Sequence, residues 1–169
     1  MGIEHLQTKA ISVNQEELKQ VILVNGWLDM PVGKIAAQVS HASMAFLTNW
    51  IREGVVVYTD THGIDPKYST SFRGGSETFE LDYSYIEEVQ PWLTGSFGKL
   101  VLVVRSQEEL EQVMERVAKN FMEEGEDFFS IIDAGRTVFD GVPTHTCTGF
   151  KPLPQKTINK LFGSLPLLK

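Results

Sequence analysis

The chain has 169 residues, 42% hydrophobic and 22% charged, close to the globular average, so wholesale disorder is excluded and one domain with a sizeable core is expected. Fifteen Lys and Arg stand against 22 Asp and Glu, a net charge of −7, which argues against a generally basic nucleic-acid binder and leaves room for a local cationic site. The single cysteine, Cys147, excludes an intrachain disulfide and a cysteine-built zinc site; with no signal-peptide pattern and no run near the ~20 apolar residues of a membrane span, a cytoplasmic protein with no membrane partner is expected.

Ser12 with Gln15 reads as a capping box opening a short helical turn to Leu18. Gln20 to Val24 (QVILV) reads as a buried strand, and Asn25 to Val32 as a loop holding Gly26 and Pro31. A long helix is predicted from about Gly33 to Arg52. Val55 to Tyr58 reads as a strand, followed by an irregular stretch to about Thr78 and a short helix near Tyr83 to Leu93. Lys99 to Arg105 (KLVLVVR) is a strong strand. Glu108 to Glu124 carries Leu110, Val113, Met114 and Val117 at helical spacing. Asp127 to Ile132 predicts a strand ending at Asp133, Thr144 to Phe150 the last strand, and Pro154 to Gly163 a terminal helix. The order implies an α/β fold, a three-layer α/β/α sandwich with a small mixed β-sheet, in a single domain spanning 1–169. Sites in such folds lie beyond the carboxyl ends of parallel strands, which points to the loop after Val24 and the turn at Asp133.

Projected at ~100° per residue, the first long helix has apolar arcs through Ile35, Val39, Ala42, Phe46 and Trp50 and through Ala37, Met44, Leu47 and Ile51. A narrow polar stripe of Lys34, Gln38, His41 and Thr48 runs between them. An ammonium, an amide and an imidazole thus line up on a largely buried helix; a plain solvated face gives the same spacing. Gly33-Lys34 entering a helix suggests a phosphate loop, but six residues separate Gly26 from Gly33 and Ile35 follows Lys34, so that motif is rejected. No G-x-G-x-x-G, H-E-x-x-H or G-x-S-x-G occurs. The second unusual segment is Asp133-Ala134-Gly135-Arg136-Thr137, where an acid ends an apolar strand beside a tight turn, a cation and a hydroxyl. Such a carboxylate can orient a lysine or a water, accept a proton, or simply cap its own turn.

Three segments together, Gly33-Lys34-Ile35-Ala36-Ala37-Gln38-Val39-Ser40-His41-Ala42, Asp133-Ala134-Gly135-Arg136-Thr137, and Lys151-Pro152 with the helix after it, resemble the type II peptidyl-tRNA hydrolases, the archaeal and eukaryotic-type enzymes. Trp92, Gly95 and Lys99 to Leu102 match in order. The resemblance covers about residues 19 to 53 and 92 to 169. It implies a compact α/β domain, commonly a homodimer, that hydrolyses the ester joining a peptide to the 3′ end of tRNA with no metal and no cofactor. The family's lysine falls on Lys34, its glutamine on Gln38, its histidine on His41, its aspartate on Asp133 and its last threonine on Thr137. Arg136 and Lys151 are the expected substrate-binding cations, and tRNA rather than DNA the expected partner.

Ester hydrolysis needs a water, a group to orient or deprotonate it, and stabilisation of the oxyanion. Asp133 is expected to hold the water, Lys34 to pair with Asp133 and meet developing charge, and Gln38 to hold the carbonyl or the water. His41 is expected to bind a terminal nucleotide or to brace the helix. The absence of a Ser-His-Asp grouping favours direct water attack. The chain departs from the family pattern at Asn25, Trp27 and Met30-Pro31-Val32-Gly33-Lys34, where an Arg and a loop glycine are missing, and at Lys151-Pro152. Alternatives are a non-catalytic or regulatory relative of the same fold, and a hydrolase of another small ester or amide.

The segment at about 54–91 is longer than the usual family connection and reads as an insertion. Asp60, His62 and Asp65 are weak as metal ligands, and Tyr68, Phe72 and Arg73 either stack on a nucleotide or pack the insert. Residues 54–98 hold seven acids and two bases, net −5, so the remainder is near neutral at −2. Lys34, Arg136, Lys151, Lys156 and Lys160 are then available for a local basic rim. If the acidic segment lies over the active face, RNA binding is weak and shortening the segment strengthens it.

Overall fold

The computed structural model describes residues 17–52, 56–58, 79–81 and 83–169. The capping box at Ser12 and the residues singled out between Asp60 and Arg73 lie outside the described residues.

Among the described residues, four helices and a mixed sheet alternate: β1 (Leu18–Asn25), α1 (Val32–Arg52), β2 (Val56–Tyr58), β3 (Phe79–Leu81), α2 (Tyr83–Thr94), β4 (Lys99–Val104), α3 (Gln107–Ala118), β5 (Phe128–Asp133), β6 (Thr144–Phe150), β7 (Leu153–Pro154) and α4 (Gln155–Phe162). The main path through the sheet is β4-β1-β6-β5, with β7 pairing the start of β1, and β2 and β3 form a separate antiparallel pair. β1 pairs parallel with β4, and β6 runs antiparallel to both β1 and β5. β1, β4 and β5 therefore point the same way, and Asn25, Val104 and Asp133 end them at one side of the sheet.

β1 is central, so it is buried on both faces and reads as a continuous apolar run. Val21 and Leu23 enter one core with Leu110, Val113 and Val117 of α3 and Ile158, Leu161 and Phe162 of α4. Ile22 and Val24 face the other way, toward Ala42 of α1 and Cys147. Phe46, Trp50, Val89 and Trp92 join α1 to α2 on that same face, with the Phe46 and Trp50 rings 5.2 Å apart at 88°. The helices thus cover both faces, as the α/β/α reading expects.

α1 lies unusually close to the sheet at one point: a Cβ on Gly149 of β6 would fall onto the Ala42 carbonyl. Glycine at 149 lets the helix backbone touch the strand, and this contact sets the height of the polar stripe above the sheet. Gln20, fully buried, helps fix the same helix by donating to the Ser43 carbonyl at 2.9 Å and to Phe150 O at 3.1 Å.

The sequence expectations for β2, β4 and β6 hold within a residue. Helix α3 stops at Ala118, six residues before the expected Glu124, because Phe121 turns into the left-handed region at φ 57° and Asn120 folds its amide back onto Arg116 O at 2.7 Å. The short strands β3 and β7 were not expected. Nor was the course of the last residues: Val103 donates to Pro166 O and Leu168 to Val101 O, each at 2.9 Å, so the tail pairs along the outer edge of β4.

Candidate active site

At the carboxyl end of β5, Asp133 meets the first two turns of α1. Lys34 Nζ lies 2.5 Å from Asp133 Oδ2 and donates to Thr137 Oγ1 at 3.1 Å. Gln38 Nε2 donates to the same Asp133 oxygen at 2.8 Å. The other oxygen, Oδ1, accepts the Gly135 N–H at 2.8 Å. Lys34, Gln38, Asp133 and Thr137, four of the residues singled out in the sequence, therefore form one cluster.

Local geometry explains the turn. Gly135 has φ 76°, and a Cβ there would sit 2.6 Å from both the nitrogen and the oxygen of Val142. Only glycine fits, and that conformation aims its N–H back at the carboxylate two residues earlier. The Lys34 hydrogen bond holds the Asp133 carboxyl below the usual carboxylate range, reinforced by the Gly135 N–H, the lysine's charge and Gln38, against a smaller opposing effect of burial. The side chains of Lys34 and Asp133 are 14% and 12% exposed, so the pair is shielded yet open on one side.

Thr146, a residue the sequence reading passed over, completes the cluster from below. Its hydroxyl lies 2.6 Å from Gln38 Oε1 and 3.2 Å from Ile131 O. The β5–β6 register explains why it can reach. Ile131 pairs with Cys147 and Ile132 with His145, so Thr146 is the extra residue of a bulge. The bulge turns Thr146 toward α1 beside Cys147, in place of the face that strict alternation would give it. A Thr-rich strand, Thr144 to Thr148, opposite a helix with a polar stripe was the available signal.

His41 stands one turn beyond Gln38. It is exposed and has no hydrogen bond or ion pair among the described residues. Together with Thr48, Asn49, Phe129, Ser130 and Ile131 it lines a pocket of about 260 Å³ between α1 and β5. Arg136 is exposed on the turn after Asp133. Lys151 lies at the far end of β6, bound to Asp127 at 2.8 Å and Glu88 at 3.0 Å. Burial opposes its charge, but those two carboxylates outweigh it and hold the ammonium above its ordinary value. Lys160 is turned to Asn120, just past the end of α3. Of the cations expected along a rim, Lys34 therefore stands in the cluster, Arg136 on the adjoining turn, and Lys151 at the opposite end of the sheet.

On the other face at the same sheet end, Asn25 donates to His145 O at 2.8 Å and closes β1 against β6. His145 Nε2 lies 3.0 Å from both Cys147 O and Thr148 Oγ1, and burial lowers its pKa despite the contact with Cys147 O and the charge of Glu124. Among the described residues, no group of three His, Cys, Asp or Glu stands together as a metal site, and no helix is long and apolar enough to cross a membrane.

The fold and the cluster define a small α/β/α protein with a lysine–carboxylate centre at the carboxyl ends of its parallel strands. Residues 18–168 match the family model described as Peptidyl-tRNA hydrolase PTH2, and the chain belongs to that family. Curated archaeal proteins named peptidyl-tRNA hydrolase align over nearly their whole length. That of Metallosphaera sedula is 33% identical over 89% of this chain and 100% of its own. That of Sulfurisphaera tokodaii is 31% identical over 89% and 98%, and that of Sulfolobus acidocaldarius 30% over 89% and 100%.

Proposed function

We propose that this chain hydrolyses the ester between a peptide and the 3′ end of tRNA by direct attack of water, with no metal taking part. Family membership supports the reaction class. One observation carries the assignment of roles. Asp133 Oδ2 already accepts two hydrogen bonds and Oδ1 accepts one, which leaves a single acceptor position on Oδ1. Lys34 Nζ has three N–H groups, two of them engaged, which leaves a single donor. A free acceptor and a free donor side by side are what a water and an ester carbonyl require.

In this reading a water donates one proton to Asp133 Oδ1 and attacks the carbonyl carbon. The free Lys34 N–H meets the oxygen as negative charge develops on it. Collapse breaks the bond to the tRNA 3′ oxygen, which takes up the proton received by Asp133, and the new peptide carboxyl gives its remaining proton to solvent and departs as a carboxylate. A carboxylate of lowered pKa is a weak base, so orientation of the water is the larger part of what Asp133 supplies. Lys34 supplies the positive charge at the centre. The same reading carries with it the cytoplasm, where peptidyl-tRNA arises, and a homodimer, which sedimentation at several concentrations checks.

The test is release of N-acetylated amino acid from N-acetylaminoacyl-tRNA. Lys34→Ala and Asp133→Asn are each expected to slow it by roughly 10²–10³-fold, and EDTA to leave it unchanged. Near-wild-type rates in both variants would sink the assignment.

A further inference from the structure

His145 lies on the sheet face turned away from the Lys34–Asp133 cluster, and its side chain takes no direct part in the hydrolytic chemistry. Thr148 stands opposite Leu23 in the β1–β6 ladder, so it shares the face on which Leu23 meets α3 and α4. The His145 ring reaches the Thr148 hydroxyl at 3.0 Å and so sits on that face too. Resting on the peptidyl-tRNA reading, we propose that His145 is a positioning residue for the hydrolysis: its ring spans the β6 bulge and holds Thr146 under Gln38.

Backbone pairing leaves Thr146 without a ladder partner. β1 pairs with β6 only as far as Val24 opposite Cys147, and successive β5 residues, Ile131 and Ile132, face Cys147 and His145. A bulged residue is free to turn unless something outside the ladder holds its strand. Two side chains do so here. Asn25 Nδ2 donates to His145 O at 2.8 Å, before Thr146. The His145 ring reaches past Thr146 to Cys147 O at 3.0 Å, after it. The carbonyls of both neighbours are pinned, and the Thr146 hydroxyl between them meets Gln38 Oε1 at 2.6 Å.

Only one form of the neutral ring can do this. A carbonyl only accepts, so Nε2 must carry the hydrogen and Nδ1 is left bare. Burial lowers the pKa of the ring, which keeps it neutral above about pH 7. Asn25 is committed in the same direction. It is 1% exposed, and its Nδ2 serves the His145 carbonyl although its Oδ1 has no partner among the described residues. From Thr146 the path is short: the Gln38 amide it orients donates to Asp133 Oδ2 at 2.8 Å, and in the hydrolytic reading Asp133 orients the water. The ring touches none of the reacting atoms, so its loss should act on kcat and leave KM alone.

The test compares His145→Phe, which keeps a flat ring and removes the donor, with His145→Gln, which returns an N–H near the Nε2 position. Cleavage of N-acetylaminoacyl-tRNA is followed well below each variant's melting point. His145→Phe is expected to lower kcat by about ten-fold, the worth of one hydrogen bond at the transition state, with KM within about two-fold. His145→Gln should recover kcat to within about two-fold of wild type. In a Thr146→Val background His145→Phe should take nothing further from kcat, because residues acting through one another are not additive. Independently of turnover, ¹⁵N spectra of the full chain should show the His145 ring, assigned by its loss in His145→Gln, with its hydrogen on Nε2. The Gln38 side-chain NH₂ signal, assigned by its loss in Gln38→Ala, should move in His145→Phe and return in His145→Gln. Should His145→Phe misfold by its melting curve, His145→Leu replaces it. An unchanged kcat, additive losses in the double variant, a hydrogen on Nδ1 or an unmoved Gln38 signal would each overturn the proposal. A wild type without turnover, with both signals as expected, removes the hydrolytic reading and leaves the brace standing; turnover with Gln38 unmoved does the reverse.

Discussion

The Thr146 hydroxyl lies 2.6 Å from Gln38 Oε1, deep beneath the ion pair, and this contact decides which way the Gln38 amide faces. Asp133 as a carboxylate only accepts, so the NH₂ end must point at it, and the carbonyl end needs a donor on the other side. Thr146 is that donor. Thr146→Val removes it, leaves a buried oxygen unpaired, and is expected to cost about 1–3 kcal/mol. Turnover should fall with it, while Thr146→Ser keeps both stability and rate. Melting curves and peptidyl ester release on the same samples check the pair.

Asp133 loses its proton more readily in the folded chain than in the unfolded one. The stability this confers is therefore complete above the ordinary value of ~3.9 and drains away as pH falls from there through the lower folded value. Asp133→Asn is expected to flatten that acid slope without altering stability's dependence on pH between 6 and 8. Denaturant midpoints taken from pH 2.5 to 8 measure it. The acid limb of kcat/KM should likewise lie below the usual carboxylate range.

Cys147 is fully buried and burial pushes its thiol up to about 12. The thiolate is the reactive form, so this cysteine should be inert toward iodoacetamide at pH 8 in the native protein and label fully in guanidinium. Mass spectrometry before and after unfolding reads the difference. Rapid native labelling would mean that β6 opens to solvent.

Gly149→Ala would force α1 off the sheet at Ala42. Overpacking of this kind typically costs 1–3 kcal/mol, and the upper end, about 3 kcal/mol, is expected because the neighbour is backbone. In a chain of this size that is a fall in Tm of roughly 6–12 °C. Activity should drop further than stability alone explains, because Gln38 and Lys34 ride on the displaced helix.

Much of the fold is legible in the chain because of where its strands sit. QVILV and KLVLVV are apolar without alternation since β1 is covered on both faces and β4 lies beside it. Strands of two or three residues, β3 and β7, are too short to carry a period. The end of α3 was misplaced because its apolar spacing, Leu110, Val113, Met114 and Val117, sets a face and not an end, and nothing in the sequence marks the turn of the backbone at Phe121. In the site, the i, i+4 relation joined Lys34 to Gln38 correctly. It also put His41 in line, yet on a helix alignment fixes direction and not distance: seven residues carry His41 ~10 Å from Lys34, over β5 and the pocket. Thr146 stayed hidden because a bulge is a feature of two strands together, and one strand's sequence does not reveal it.

The two margins of the sheet differ in a way that matters for handling the protein. Along β4 the outer backbone groups are occupied by Pro166 to Leu168, while β5 ends the other side of the strand order. Six residues with the sequence KLVLVV, if bared, would be an adhesive strip for a second molecule. Residues 166–168 thus shield that strip, and removing them is expected to favour association through β4 while leaving the Lys34–Asp133 centre, at the ends of other strands, in place.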